Sequence, residues 1–407
     1  MQKQTSKRPS RPFRLTRSNL RLLILAYLGV GALLAVCVFV GIFLLLGNSS
    51  NQGQAAARPT ARATVPLAAT TPTAIVTGAP QGATAAPTQP MLQDDGKFAL
   101  GGQLPAYQIM SHEDMMRSAG MSWVKFQIVW TEGAKATDAR ALIDFGHQKG
   151  FKVLVSVKGP SNPTSIDYAD YLRFVNVLVS NKPEAVEIWN EMNLPIEWPA
   201  GQFSASTYVN SMLKPAYQEI KAKSPNTMVI TGALAPTGVN DGIHAVEDRE
   251  YVQGMYAAGA AQYADCIGVH HNAGTTSPSA TTGHVSDQGD HHYSWYFLPT
   301  LDVYRNGFNG QLPLCITEFG YLSPDGYGPL PAAFAWGTNT TVAEQSAWLA
   351  EGVTLAKQLG YVRLVIIWNV DFPADDYSTD PKAGFAIVRP DGTCPACQGL
   401  WNAMTAK

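Results

Sequence analysis

Between residues 98 and 371 the sequence repeats one pattern eight times: a short strand-like run, in most cases rich in β-branched residues, with helical stretches between successive runs. The strand-like runs are 98–103, 123–130, 152–159, 185–193, 227–235, 266–273, 312–320 and 362–371. The helical stretches are 111–120, 136–150, 165–181, 204–224, 247–264, 294–308 and 341–360, with apolar residues at three- and four-residue spacings and several closing on Gly. The segment 393–406 supplies an eighth helix. Strands joined through helices pair in parallel, and parallel sheets are covered on both faces. Eight units in about 310 residues fit a closed (β/α)8 barrel better than an open doubly wound sheet. No G-x-G-x-x-G follows the first strand, which disfavours dinucleotide binding.

The barrel occupies residues 96–407, and what precedes it has a different character. Residues 1–93 hold nine basic residues and no acidic one, leaving 20 Lys and Arg against 31 Asp and Glu in the rest, a net of −11. An acidic body without a basic stripe argues against nucleic acid as a partner. Residues 22–46 form an uncharged apolar run of 25, long enough to span a bilayer as a transmembrane helix. Seven basic residues lie in the tail 1–21, so the positive-inside rule puts that end in the cytoplasm and the body outside. A cleaved signal peptide would have a shorter apolar region and a small-residue site close behind it. The Ala-, Thr- and Pro-rich stretch 47–95 reads as an extended, disordered linker, too poor in apolar bulk to fold alone. The expected address is a single-pass membrane protein with its barrel on the extracytoplasmic side.

In a (β/α)8 barrel the active site lies at the C-terminal strand ends. The fourth strand ends in Trp189-Asn190-Glu191-Met192-Asn193 and the seventh in Thr317-Glu318-Phe319-Gly320. Two carboxylates there face each other across the barrel mouth. One can protonate a leaving oxygen while the other attacks carbon, the division of labour of a retaining glycosidase. On these motifs the body resembles the clan of (β/α)8 retaining glycoside hydrolases with catalytic Glu on strands four and seven, the cellulase-like and xylosidase-like families. The resemblance implies Glu191 as general acid/base, Asn190 as donor to the sugar 2-OH, Glu318 as nucleophile and Trp368 as the floor of the reacting-sugar subsite. It implies hydrolysis of a poly- or oligosaccharide without a cofactor or metal.

The other strands refine this picture. Alternation turns Gly268, His270 and Asn272 inward on strand six. His270 resembles the clan's strand-six His, a neighbour of substrate and acid/base. The clan usually has a Tyr where this chain has Asn272, and Tyr293 or Tyr296 are candidates to replace it on the nucleophile. In place of the Arg many relatives carry on strand two, this chain has Lys125 and Gln127, and Lys125 is expected to pair with Glu187 inside the barrel. Lys158, ending strand three, is either a substrate contact or a rim charge. The cluster His270, His271, Asp290, His291 and His292 could bind a transition metal, although it lacks an H-E-x-x-H or H-x-H spacing. Trp130, Trp198, Trp295 and Trp336 are expected in loops, where rings stack on sugars or brace the loop. Cys266 and Cys315 sit on neighbouring strands and could bridge, and Cys394-Pro395-Ala396-Cys397 reads as a short structural disulfide. Two alternatives stay open: a non-catalytic carbohydrate-binding barrel on a stalk, and a metal-dependent hydrolase using the His cluster.

Overall fold

The computed structural model describes residues 91–105 and 112–406. The tail, the apolar run 22–46 and nearly all of the linker lie outside these. Among the described residues no helix is long and apolar enough to cross a membrane.

Eight strands form in the expected order: β1 (Ala99–Leu104), β2 (Trp123–Val129), β3 (Lys152–Lys158), β4 (Ala185–Ile188), β5 (Met228–Thr231), β6 (Ile267–His271), β7 (Leu314–Phe319) and β8 (Val362–Ile367). They pair in parallel in the order β5-β4-β3-β2-β1-β8-β7-β6. A single bridge between Ile230 and Cys266 joins the two ends, so the sheet closes. The helices α1 (Glu113–Ser118), α2 (Thr137–Gln148) and α3 (Tyr168–Val179) follow the first three strands. After β4 come α4 (Ala205–Tyr208) and α5 (Lys214–Lys223), joined by a π-helical turn at Val209–Leu213. The stretch 204–224, expected as one helix, is widened there. Pro215 has no N–H for the α ladder and its ring crowds the preceding turn, which the π turn relieves. The ring is completed by α6 (Asp248–Ala257), α7 (Phe297–Gly307), α8 (Val342–Leu359) and α9 (Cys397–Thr405).

Strand alternation sorts the side chains. Outward residues such as Val124, Phe126, Val155, Ile188, Val269, Ile316 and Val365 pack under the helices. Inward, Trp123, Leu154, Ala185, Ile230, Cys266, Cys315, Leu364 and Ile366 fill an apolar layer. Cys266 and Cys315 form a disulfide across β6 and β7, and Cys394 and Cys397 form another at the start of α9. Ahead of β1, buried Asp94 accepts hydrogen bonds from Trp123 Nε1 (2.9 Å), Lys152 Nζ (2.8 Å) and Arg363 (2.9 Å). Burial alone would raise its pKa, but these donors outweigh it and hold the carboxyl well below the carboxylate range. The chain is therefore tied to the barrel from Asp94 onward.

Candidate active site

The run 185–193, read as one strand, leaves the ladder after Ile188. Trp189 and Glu191 take positive φ values of 73° and 42°, and the Glu191 N–H donates to Ala233 O at 2.8 Å. The Trp189 ring is buried, with its indole N–H on Glu197 O at 2.8 Å. A non-Gly left-handed residue costs about 1–2 kcal/mol, so this turn is held by its surroundings. Its effect is to bring the Glu191 carboxylate to the barrel mouth.

β7 carries the second device. Along β6 and β7, Val269 pairs with Ile316 but His270 pairs with Glu318, so Thr317 is an extra residue. This bulge lets Ile316 and Phe319 both pack outward while Thr317 and Glu318 both reach inward. Thr317 Oγ1 donates to Glu187 Oε1 at 2.6 Å. Lys125 Nζ lies 3.4 Å from Glu187 Oε2 and 3.3 Å from Glu318 Oε1, and donates to Thr317 O at 3.1 Å. The expected Lys125–Glu187 pair is present, and the same ammonium also serves Glu318. Simple alternation missed that second contact.

His270 joins the two carboxylates. Its Nδ1 is 3.0 Å from Glu191 Oε1 and 3.7 Å from Glu318 Oε2. Asn272 Nδ2 donates to Glu318 Oε2 at 3.2 Å, occupying the position where a Tyr was sought. Gln127 Nε2 donates to Asn190 Oδ1 at 3.1 Å, which turns the Asn190 amide N–H groups away from Gln127. Trp368 is half-buried beside Phe372 and Phe385 at ring-centroid distances of 6.2 and 4.6 Å, and its peptide to Asn369 is cis. Oxygens of Glu191 and Glu318 and a nitrogen of His270 all lie within 4.8 Å of one another.

The two carboxylates differ in setting. Glu191 is 20% exposed at its side chain and Glu318 is 8% exposed. Burial pushes Glu318 up, but His270 and Lys125 outweigh it and hold it below the ordinary glutamate value. Burial pulls His270 down, but Glu318 and Glu191 raise it overall, and Lys125 rises in the same way against Glu187 and Glu318. Glu318 is thus held as an anion between cations.

Several expected residues lie elsewhere. The Tyr293 hydroxyl donates to buried Asp248 Oδ1 at 2.6 Å, and Tyr296 donates to Asp287, so neither reaches Glu318. The histidine cluster is not assembled. His271 faces outward among Phe297, Phe319 and Tyr321, where burial pushes it down to about 3. His291 pairs with Asp287 at 2.6 Å and His292 with Glu247 at 3.4 Å. Trp130 and Trp198 are 3% and 1% exposed, because they pack with Tyr171, Trp189 and Tyr208 beneath the loops. They brace and cannot stack on a ligand. Lys158 meets Glu197, a residue the sequence did not single out, because it lies in the aperiodic loop after β4. Burial pushes Glu197 up to about 7 despite Lys158, with Glu191 and Glu318 adding to the rise.

No protein-family model matches the sequence, and no curated protein matches it. Solved structures with a similar fold include (β/α)8 glycoside hydrolases. A family 39 glycoside hydrolase from Bacteroides cellulosilyticus is similar at TM-score 0.55 and 17% identity, over 78% of this chain and 66% of that one. This chain therefore spans just under two thirds of that enzyme's length. A thermostable mutant of a xylanase from Cellvibrio japonicus is similar at TM-score 0.51 and 12% identity, over 76% and 98% of the two chains. An endo-1,4-β-mannanase from Rhizomucor miehei is similar at TM-score 0.50 and 13% identity, over 79% and 99%. At these identities the similarity is one of fold.

Proposed function

We propose that the protein is a retaining glycoside hydrolase, anchored in a membrane by residues 22–46 with its barrel on the extracytoplasmic side. The observation that carries the reading is the pair Glu191 and Glu318 at strand ends four and seven, with an oxygen of each within 4.8 Å of the other and Glu191 the more exposed. Retaining enzymes hold their carboxyls about 5–5.5 Å apart and inverting enzymes about 6.5–9.5 Å, to admit a water. One oxygen of each carboxyl lies within 4.8 Å of the other's, an approach that favours the first. Glu318, held ionised by Lys125 and His270, attacks the anomeric carbon as the glycosidic C–O bond breaks. Glu191, the more open carboxyl, gives its proton to the departing oxygen. A glycosyl ester of Glu318 forms, and Glu191 then takes a proton from the water that cleaves it.

The neighbours fit supporting roles. Asn190, its oxygen occupied by Gln127, presents N–H to a sugar hydroxyl. Asn272 and His270 orient the carboxylates, and Trp368 provides an apolar face for the sugar. Lys158 is a candidate substrate contact at the mouth, paired with Glu197. Tyr293, committed to Asp248, takes no part. The xylanase and mannanase among the similar folds support a polysaccharide or oligosaccharide substrate. The two disulfides support an oxidising, extracytoplasmic compartment. The test is turnover by the full chain of aryl glycosides, xylan, mannan and β-glucans. Release of aryl alcohol or reducing ends is expected. Binding without turnover would support a carbohydrate-binding barrel instead.

A further inference from the structure

At the C-terminal end of β3 one charged pair stands beside the proposed site without a role in the chemistry. Alternation from Leu154 in the inner apolar layer, through Ser156, turns Lys158 inward at the mouth. Its side chain is only 12% exposed, so it is not a solvated rim charge. The ammonium donates to Glu197 Oε1. Among the described residues Glu197 is its one acceptor, which leaves two of its three N–H donors without a protein acceptor. Glu197 Oε2 is buried and has no partner.

The surroundings fix this pair firmly. Trp189 Nε1 holds the Glu197 carbonyl at 2.8 Å, and the Asn162 N–H joins the β3 loop to Ile196 O at 2.8 Å. Gly159 lets the Trp189 ring lie against the chain beside Lys158, since a Cβ there would come within 2.4 Å of the ring. The Lys158 charge is felt at Glu318, and Glu197 in turn feels Glu191 and Glu318. An anionic group entering here meets three carboxylates. The other cations are already engaged by carboxylates, Lys125 fully buried between Glu187 and Glu318 and His270 3.0 Å from Glu191.

We propose that Lys158 is a specificity residue of this site: it donates to a hydroxyl oxygen of a neutral sugar unit, is held there by Glu197 as a positioning residue, and works in a carboxylate-rich mouth that rejects uronates. The proposal rests on the glycosidase reading for where the sugar lies. A free ammonium would favour a uronate carboxylate, but this one is already engaged by Glu197. A fixed N–H donor in a desolvated place reads a hydroxyl by the loss suffered when that hydroxyl is missing.

The test compares full-chain wild type, K158M, E197A and E197Q on 4-nitrophenyl glycosides of neutral sugars, on their 3-, 4- and 6-deoxy analogues, and on 4-nitrophenyl glucuronide. Wild type is expected to lose about 10- to 100-fold in kcat/KM on one deoxy analogue. K158M should lose as much on the parent glycoside and nothing further on that analogue. E197A should lose the same selectivity, and E197Q, whose amide oxygen still accepts from Lys158, should recover it. A merely structural role would lower all substrates together. Should K158M fail to fold, the wild-type deoxy series and the E197A/E197Q pair decide the matter. If no glycoside is hydrolysed, the glycosidase reading fails. The present proposal is then decided by calorimetry with neutral and glucuronate-containing oligosaccharides, where tighter neutral binding weakened at least tenfold in K158M supports it. An unselective deoxy series, glucuronide handled as well as the neutral parent, or no neutral oligosaccharide bound would overturn it.

Discussion

Glu318 is the residue around which the site is organised, with Lys125, His270 and Asn272 all directed at its two oxygens. Its replacement by Gln keeps the shape and removes the nucleophile. E318Q should lose about 10⁴-fold or more in kcat while keeping a cooperative melt, as read by aryl glycoside turnover and calorimetry. The pH dependence follows from the same contacts. Glu318 has a folded pKa below its unfolded value, so its contribution to stability is present above about pH 4.3 and is lost as pH falls through the lower folded value. The acid limb of kcat/KM should therefore lie below the ordinary glutamate range. His270 is shifted the other way, and its contribution is present below about pH 6.5 and lost as pH rises through the higher folded value. H270N removes a cation from Glu318 and should move the acid limb to higher pH. A limb that stays in place would contradict the electrostatic role given to His270. Glu191 and Glu318 were legible from their place at strand ends, and His270 and Asn272 from alternation on strand six; the left-handed turn at Glu191 and the bulge that turns Glu318 inward were not. Glu197 and the true partner of Tyr293 were not, since the loops after β4 and β6 have no period from which direction can be read.

The elements show where pattern reading stops. The order of all eight strands and of the helical stretches between them was legible, but the end of β4 at Ile188 and the π turn that divides 204–224 were not. The bulge at Thr317 was not, since its sequence I-T-E-F is that of an ordinary strand and only the register against β6 reveals it. That bulge decides which charges Lys125 neutralises. K125M would leave Glu187 and Glu318 buried without their shared cation and should cost about 3–5 kcal/mol, measured by denaturant unfolding. A loss under 1 kcal/mol would contradict the pairing. The joint between β5 and β6 is a second sensitive place, as a single bridge closes the sheet there. A Cβ on Gly268 would sit 2.3 Å from Thr231 O, a backbone atom that cannot turn aside. G268A should lower stability by about 1–3 kcal/mol, through opening of that joint. Wild-type stability in G268A would show that the joint can relax.

Over the whole molecule, the near-neutral formal charge of −2 joins a basic N-terminal region to an acidic barrel. The same asymmetry underlies the proposed topology, with the tail inside and the enzyme outside. The disulfides give a direct check on the compartment. Of five cysteines, four are paired across Cys266–Cys315 and Cys394–Cys397. The denatured full chain should therefore titrate one thiol, Cys37, without reductant and all five after reduction. Five free thiols in protein isolated from its native membrane would contradict an oxidising location. The barrel itself was legible from the count and spacing of its units. Closure at β5 and β6, and the way Asp94 ties the chain to the barrel's base, depend on tertiary contacts that no local pattern carries.

The central claim is that Glu191 and Glu318 act as a retaining pair, and its most direct measurement is the stereochemistry of the first product. With the aryl glycoside that the full chain cleaves fastest, proton NMR in the first minutes should show the released sugar in the same anomeric configuration as the substrate, before mutarotation. E318Q should give no such signal. Initial release of the opposite anomer, or undiminished turnover by E318Q, would contradict the account.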